Sequence, residues 1–293
     1  MQFAPVPNGI GVVAHDFAAD LTTLTDEDIA ALRSAYFEHG LVLFRGREIC
    51  LDEQFAVCNA LGARIDQAGS GITWKNVSST GRSEMGELSF HADFCNAPAE
   101  AMLTGASLCA TELPRHPTAT IFASSIQALN TMPSDLLGRV AGRTAIHSAT
   151  LNDEAGKSLR HNLANSGEPR AEHPIVFPHP ETGAQSLYVS DMNTERVTGL
   201  PDDESTALLD EIVSWQQQPQ FVYRHVWQLH DLVLWDQILI THKREYEKND
   251  NDTGARVLRR VSFTHPAWRT KCQAFFDLPR IRQGHRVNAG SIP

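Results

Sequence analysis

The 293-residue sequence contains few cysteines, and none of them are close enough together to act as a set. The five cysteines are an odd number, are scattered along the chain and include no Cys-x-x-Cys pair. A disulfide framework or a zinc knuckle needs paired or closely spaced cysteines, so the sequence disfavours both and favours a reducing compartment. The N-terminus also lacks the basic start and apolar core of a signal peptide. We therefore expect a cytoplasmic protein.

Positive charge and long apolar runs are also scarce. Lysine and arginine number 25 against 35 acidic residues, which gives a formal net charge of -10. Nucleic acids and anionic membranes attract basic surfaces, so we expect neither as a partner. No apolar stretch approaches the roughly 20 residues of a membrane-spanning helix. With 42% hydrophobic residues, the chain has an ordinary globular composition and can bury a sizeable core.

Several common catalytic fingerprints are missing as well. The sequence contains no Gly-x-Ser-x-Gly elbow and no P-loop, and its Gly-Ser-Gly run at 69–71 lacks the third glycine of a dinucleotide-binding motif. No internal repeat, low-complexity tract or linker divides the chain. We therefore expect a single domain over residues 1–293.

Helical patterns are concentrated in the first third of the chain. Residues 25–40, which begin with an N-cap threonine and end with a glycine, predict a helix. A short buried strand is expected at 41–44, followed by a second helix that ends at Gly62. One further helix is predicted at 202–218.

Most of the remaining sequence consists of short strand-like runs separated by proline, glycine and asparagine. Many short strands with few helices between them favour an antiparallel sandwich or roll over a doubly wound sheet. The runs include AMLTGASLCA, ATIFAS, PIVF, SLYVS, QFVYRHVW, DLVLWD and RVLRRVSF.

The first candidate site is the run GELSFHADF at 86–94. In a strand, His91 and Asp93 occupy positions i and i+2 and therefore share one face. Both side chains can bind a metal, but a single His-x-Asp triplet also arises by chance, so an ordinary polar face is the alternative. A rival His-Pro-Glu triplet in FPHPETG contains turn residues and predicts a hairpin tip.

Two features near the C-terminus could complete a site. The run DLVLWDQILITHKR leads to His242, which taken alone could simply end a strand. The run ARVLRRVSF places Arg256 and Arg260 on one face of a strand. An interior arginine is costly unless it pairs with an anion, whereas on a solvated edge face it needs no such partner.

Taken together, these features resemble the taurine dioxygenase family of iron(II)- and 2-oxoglutarate-dependent oxygenases. The family order is His-x-Asp, a threonine or serine, a distant histidine and then an arginine, and it is matched here by His91, Asp93, Thr120, His242 and Arg256. The resemblance runs from about residue 11 to residue 260 and includes the HGLVLFRG segment. Many members carry Trp-Asp-Asn-Arg before the distal histidine, whereas this chain has Trp-Asp-Gln-Ile, a departure that concerns the support of that loop.

The resemblance implies a mainly β fold with flanking helices, drawn chiefly from the N-terminal third, around a double-stranded β-helix core of the jelly-roll or cupin-like type. It also implies that His91, Asp93 and His242 bind Fe(II) as a facial triad, which leaves positions open for 2-oxoglutarate and O₂. Arg256 is then expected to pair with the distal carboxylate of 2-oxoglutarate, with the Thr120 hydroxyl as a second contact.

The same resemblance suggests a role for Arg260 and a type of chemistry. Arg260 is expected near the C1 end of the co-substrate or near an anionic group of the substrate. The carboxylate of Asp93 favours oxygen transfer over halogenation.

The segment from Trp74 to Phe90 suits a lid over the iron, and an exposed connection is the alternative.

The activity implied is a dioxygenase reaction that oxidises an unactivated C–H bond of a small molecule, usually by hydroxylation, and releases succinate and CO₂. Desaturation, ring formation or epimerisation at the same centre remains open. A non-catalytic β-roll that only binds a ligand is a further alternative, although intact Thr120 and Arg256 argue against it. A homo-oligomer is possible.

Overall fold

The computed structural model describes residues 1–6, 10–66, 73–77, 88–117, 119–148, 169–245 and 255–279. The helices in these ranges are α1 (Asp26–His39), α2 (Leu51–Leu61), α3 (Ser125–Asn130), α4 (Ser134–Val140), α5 (Asp202–Gln216) and α6 (Arg269–Phe276). The strands are β1 (Gln2–Pro5), β2 (Val12–His15), β3 (Leu41–Phe44), β4 (Ala63–Ile65), β5 (Thr73–Val77), β6 (Leu88–His91), β7 (Gly105–Glu112), β8 (Thr120–Ser124), β9 (Thr144–His147), β10 (Ala171–Pro174), β11 (Val176–Pro178), β12 (Gln185–Leu187), β13 (Thr194–Val197), β14 (Val222–His225), β15 (Leu232–Asp236), β16 (Ile240–Arg244) and β17 (Ala255–Thr264).

An eight-stranded sheet, which we call the major sheet, forms one wall of the fold. Its strands follow the order β1-β2-β3-β15-β7-β17-β4, and β5 also pairs with β17. The central strand β15 is buried along its whole length. It is buried on both faces because helices cover one face of the sheet and a second sheet covers the other.

Helices α1 and α2 pack on the outer face of the major sheet. Thr25 accepts a hydrogen bond from Asp28 N as the N-cap of α1, and Gly40 ends this helix at φ 74°. Only glycine adopts that conformation without strain. Tyr36 of α1 and Val57 of α2 share a hydrophobic core with Phe44 of β3. The predicted helix–strand–helix order at the start of the chain is confirmed.

A four-stranded sheet with the order β14-β8-β16-β6, which we call the minor sheet, faces the inner side of the major sheet. The core between the two sheets contains Phe122 and Tyr223 of the minor sheet together with Trp235 and Leu258 of the major sheet. All strand pairs within the minor sheet are antiparallel. Apart from the parallel pair of β2 and β3, the strands of the two facing sheets pair antiparallel, in agreement with the predicted jelly-roll core.

A smaller layer extends one end of this core. It contains the three-stranded sheet β10-β9-β13 and the hairpin β11-β12. The hairpin confirms that the FPHPETG run turns the chain. Helices α3, α4 and α5 surround a separate hydrophobic cluster beside it. The expectation that the helices come mainly from the N-terminal third of the chain was wrong. Of the six described helices, the four numbered α3 to α6 lie later in the chain.

The proposed lid falls mostly outside the described residues. Its first four residues, 74–77, belong to strand β5, which pairs with residues 255–259 of β17. Residues 78–87 of the segment lie outside the described ranges.

None of the helices in the described part of the chain is long and apolar enough to cross a membrane.

Candidate active site

His91, Asp93 and His242 meet at one end of the minor sheet. His91 ends β6 and is paired in register with His242 of the neighbouring strand β16. Residues directly opposite each other in an antiparallel pair project from the same face, which brings the two imidazoles together. Their ring centroids are 4.2 Å apart. One potential ligand atom from each of the three residues lies within 4.8 Å of the others.

The Asp93 carboxylate is held by two donors on one of its oxygens. Gln237 Nε2 donates to Asp93 Oδ2 at 2.6 Å, and Arg260 donates to the same oxygen at 2.8 Å. The backbone N–H of Asp93 in turn donates to Gln237 Oε1 at 3.0 Å. Burial favours the neutral acid, but Arg260, the two histidines and Gln237 outweigh it and hold the pKa of Asp93 well below its usual range. Asp93 is therefore ionised and fixed in place.

The two histidines direct their Nε2 atoms toward the carboxylate. His91 Nδ1 lies 2.9 Å from the Ser89 carbonyl oxygen, which can only accept, so Nδ1 donates this hydrogen bond and Nε2 is the atom placed to bind a metal. His91 Nε2 lies 3.8 Å from Asp93 Oδ1, and His242 Nε2 lies 3.7 Å from Oδ2. Burial and the neighbouring His91 lower the pKa of His242 to about 3, so His242 is neutral. Neutral imidazoles are the form that binds a metal.

The loop that leads to His242 is well supported despite its departure from the Trp-Asp-Asn-Arg pattern. Asp236 Oδ1 accepts hydrogen bonds from the backbone N–H groups of Ile238 and Leu239, at 2.8 and 2.9 Å. The other carboxylate oxygen lies 3.0 Å from His179 Nε2 at the tip of the β11-β12 hairpin. Burial opposes a charge on His179, but Asp236 outweighs it and raises the pKa of His179. The hairpin tip thus anchors the loop.

A second polar site lies between the two sheets, around the Thr120 hydroxyl of β8. Thr120 Oγ1 accepts hydrogen bonds from Arg256 at 3.2 Å and from Trp227 Nε1 at 3.0 Å. The Arg256 guanidinium carbon lies 5.7 Å from the centre of the Trp227 ring. Arg256 Nε is buried and has no hydrogen-bond partner among the described residues. Burial and the nearby Arg244 lower the pKa of Arg256 to about 9, so this pocket favours an anion.

A buried ion-pair network supports this pocket from behind. The edge of the His225 ring packs against Trp227, with centroids 4.5 Å apart and an interplanar angle of 88°. His225 Nε2 lies 3.2 Å from Asp231, which also accepts two hydrogen bonds from Arg45. Burial favours neutral Asp231, but Arg45 and His225 outweigh it and lower the pKa of this carboxyl. His225 therefore belongs to the structural support of the pocket.

The structure separates the two predicted arginines of β17. Arg256 reaches Thr120, whereas Arg260 contacts Asp93 and donates to Ser262 Oγ at 3.0 Å. Both project toward the inside of the two-sheet core, as strand alternation predicted. The arrangement is compatible with Arg256 at the distal end of a co-substrate and Arg260 at the metal end, and both assignments stay predictions.

Sequence reasoning overlooked three residues at or beside the site. Gln237 was noted only as a departure from a pattern, yet it holds Asp93 through both atoms of its amide. Trp227 gave no local signal, because its contact with Thr120 is distant in sequence. Arg244 could have been found, since it lies two residues after His242 on the same strand and so shares its face.

The donor set fits a first-row metal of the iron type. Two imidazoles and one ionised carboxylate on adjoining elements are the composition of the facial triad of non-haem iron oxygenases. The unpartnered Arg256 Nε in the second site fits a carboxylate of a bound co-substrate. A β-roll with these two sites is typical of non-haem iron oxygenases that bind an anionic co-substrate.

Comparison with known proteins agrees with this class. The model of the family described as taurine catabolism dioxygenase TauD, TfdA matches residues 2–262. The chain is 27% identical over 263 residues to (S)-phenoxypropionate/alpha-ketoglutarate-dioxygenase of Delftia acidovorans, covering 82% of this chain and 88% of that protein. It is 23% identical over 283 residues to pentalenolactone F synthase of Streptomyces avermitilis, covering 86% and 90%. A solved taurine dioxygenase from Burkholderia xenovorans, 23% identical, has the same fold with a TM-score of 0.74 over 90% of each chain.

Because the family match spans most of its length, the chain belongs to the TauD/TfdA family of taurine catabolism dioxygenases. It is an Fe(II)- and 2-oxoglutarate-dependent dioxygenase that uses O₂ to oxidise a small molecule. This confirms the resemblance, the fold class and the cofactors predicted from the sequence.

Proposed function

We propose that His91, Asp93 and His242 bind Fe(II) and that the enzyme hydroxylates an unactivated C–H bond of a small molecule. The observation that carries this proposal is the convergence of the three ligand atoms within 4.8 Å beside an anion pocket. When bound, Fe(II) together with 2-oxoglutarate and O₂ supplies the oxidant that attacks the C–H bond. The protein groups around it orient the ligands, hold the co-substrate and fix the protonation states.

The metal ligands are prepared for binding by their neighbours. The Ser89 carbonyl accepts a hydrogen bond from His91 Nδ1 and so orients the ring with Nε2 toward the metal site. The low pKa of His242 keeps its ring neutral. Gln237 and Arg260 both engage Oδ2 of Asp93, so the Oδ1 side is the one that faces His91. Partners of this kind raise metal affinity because they remove the conformational freedom of each ligand before the metal arrives.

We assign the second site to the distal carboxylate of 2-oxoglutarate. Thr120 Oγ1 already accepts two hydrogen bonds, from Arg256 and Trp227, so its own proton is available for donation to a carboxylate. The Arg256 guanidinium offers further N–H groups to the same anion. A charged donor and a hydroxyl donor that converge on one point are selective for a carboxylate, because each would remain partly unsatisfied with an apolar ligand.

The proposal is tested by anaerobic addition of Fe(II) and 2-oxoglutarate, which should give a weak visible charge-transfer band when the keto acid chelates the iron. His91→Ala, Asp93→Ala and His242→Ala should each abolish the band. Survival of the band without His242 would show that another residue is the third ligand. Succinate formation from 2-oxoglutarate in the presence of iron and ascorbate separates an enzyme from a ligand-binding β-roll.

The primary substrate is best approached with a panel of small acids, amino acids and apolar acids, scored by stimulated succinate release. Phenoxypropionate is the first compound to test, because it appears in the name of the Delftia acidovorans relative. The relative named pentalenolactone F synthase gives a reason to analyse products as well as succinate. Mass spectrometry of the product distinguishes a gain of oxygen from the loss of two hydrogens that desaturation or ring formation would give.

A further inference from the structure

Arg244 faces the space between the two sheets, although no motif marks it. It is the last residue of β16, in which Ile240, His242 and Arg244 occupy alternate positions and so share one face. Ile240 belongs to the core between the sheets, and His242 is a member of the proposed metal site. The side chain of Arg244 therefore projects toward the same interior region.

The strand register places Arg244 beside the co-substrate pocket. Arg244 is paired with Thr120 of β8, just as His242 is paired with Phe122 one step along the same two strands. Side chains of directly opposed residues lie on one face with their Cβ atoms roughly 4.5–5.5 Å apart. Thr120 is also the residue that Arg256 contacts from the major sheet. Arg244 is thus the strand partner of the residue whose hydroxyl Arg256 contacts from the other sheet.

Arg244 and Arg256 carry like charges, which repel each other. Arg244 contributes, after burial, to the lowered pKa of Arg256, so the two guanidinium groups are close enough to interact. Two cations in a partly dry pocket repel each other and lose hydration, and an anion bound between them relieves both effects. A carboxylate can accept several hydrogen bonds through its two oxygens, so Arg256, Thr120 and a second guanidinium can share one group.

We propose that Arg244 is a second cationic contact for the distal carboxylate of 2-oxoglutarate and strengthens the selection of a dicarboxylic keto acid. The inference rests on the proposed function, because it assumes that the Thr120 pocket receives this co-substrate. It makes the pocket a two-arginine clamp, with one cation supplied by each sheet.

The test is calorimetric titration of the Mn(II)-loaded protein, without oxygen, using two ligands. One is 2-oxoglutarate and the other is 2-oxopentanoate, which has the same chain length but lacks the distal carboxylate. Arg244→Gln should raise the Kd for 2-oxoglutarate about 10- to 100-fold, the range for loss of a charged hydrogen bond, and leave the Kd for 2-oxopentanoate unchanged. Arg224→Gln is the matched control, because Arg224 lies on β14 of the same sheet and pairs with Glu245 at the surface.

The outcomes separate the inference from the proposed function. Failure of the unsubstituted protein to bind 2-oxoglutarate in the presence of metal would refute the proposed function itself. An unchanged Kd for 2-oxoglutarate in Arg244→Gln, or an equal rise for both ligands, would overturn the role of Arg244 alone. If Arg244→Gln does not fold, the same pair of titrations is made with Arg244→Met, which removes the charge but keeps a long, unbranched side chain. A selective rise for 2-oxoglutarate would again support the clamp, and no selective change would overturn it.

Discussion

Gln237 offers the sharpest test of how the metal site is supported. Its amide donates to Asp93 Oδ2 at 2.6 Å and accepts from the Asp93 backbone N–H at 3.0 Å. Replacement by leucine, which has a similar size, removes both contacts and leaves the partly buried N–H without this acceptor. We expect Gln237→Leu to lower metal affinity by about 10- to 100-fold, the usual range for the loss of a partner that orients a ligand.

The assay is equilibrium dialysis against Mn(II), with the bound metal quantified at each free concentration. Gln54→Leu is a matched control, because Gln54 is also a buried glutamine with two-way amide contacts. It donates to Ser107 Oγ at 2.9 Å and accepts from Arg259 Nε at 2.7 Å. These contacts lie on the helix side of the major sheet, so Gln54→Leu should reduce the melting temperature without changing metal affinity.

Both substitutions are expected to cost about 1–3 kcal/mol of folding free energy, because each leaves buried polar groups without a partner. Only the Gln237 variant should also lose metal. Metal affinity within twofold of the original protein in Gln237→Leu would refute the reasoning. It would mean that Arg260 alone, through its 2.8 Å hydrogen bond, is sufficient to hold the carboxylate.

Three further predictions follow from the described contacts. Arg256→Lys should weaken 2-oxoglutarate binding more than Thr120→Val, which removes one neutral hydrogen bond worth about 0.5–1.5 kcal/mol. Titration of the anaerobic visible band with 2-oxoglutarate measures the affinity of both variants. A larger loss of affinity in Thr120→Val would contradict the assignment of Arg256. Burial would raise the pKa of Glu53, but Arg47 and two backbone N–H groups outweigh it and lower this pKa to about 2. Because the folded-state pKa is depressed, this stabilisation is present above about pH 4.5 and disappears as the pH falls toward 2. Urea unfolding of Glu53→Gln should therefore show a loss at pH 7 that shrinks at low pH, and a pH-independent loss would contradict it. Phe44→Ala, at a fully buried core position, should destabilise the fold by about 3–5 kcal/mol in the same assay.

The parts of the site that sequence reasoning found are those encoded by local periodicity. Arg256 and Arg260 lie on one face of the single strand β17, so alternation alone places this pair. His91 and Asp93 were expected to share a strand face, but β6 ends at His91, and the turn that follows the strand brings Asp93 beside it. Trp227 illustrates what such reasoning misses. Its indole reaches Thr120 because β14 pairs with β8, and this pairing depends on the packing of the whole minor sheet. No pattern near position 227 records it.

The same distinction applies to the fold. Helix α1 was predictable because its cap and its closing glycine are visible in the sequence. Helix α3 was missed because it begins directly at the end of β8, with no glycine or proline between them. Ser124 is the last residue of the strand and also the N-cap of the helix, where it accepts a hydrogen bond from Gln127 N. A strand that turns into a helix within one residue leaves no break to detect.

The pairing of β8 with β16 also fixes the distance between the two ends of the site. His242 and Arg244 are two residues apart on one face of β16, which corresponds to about 7 Å of strand rise. The backbone of one strand therefore fixes how far the metal end of the site lies from its anionic end. Exchanging side chains at either end can weaken the grip on a keto acid, but it cannot lengthen this interval. A diacid one carbon longer should be accommodated only by buckling its own chain, so preference for a given chain length is a property of the sheet.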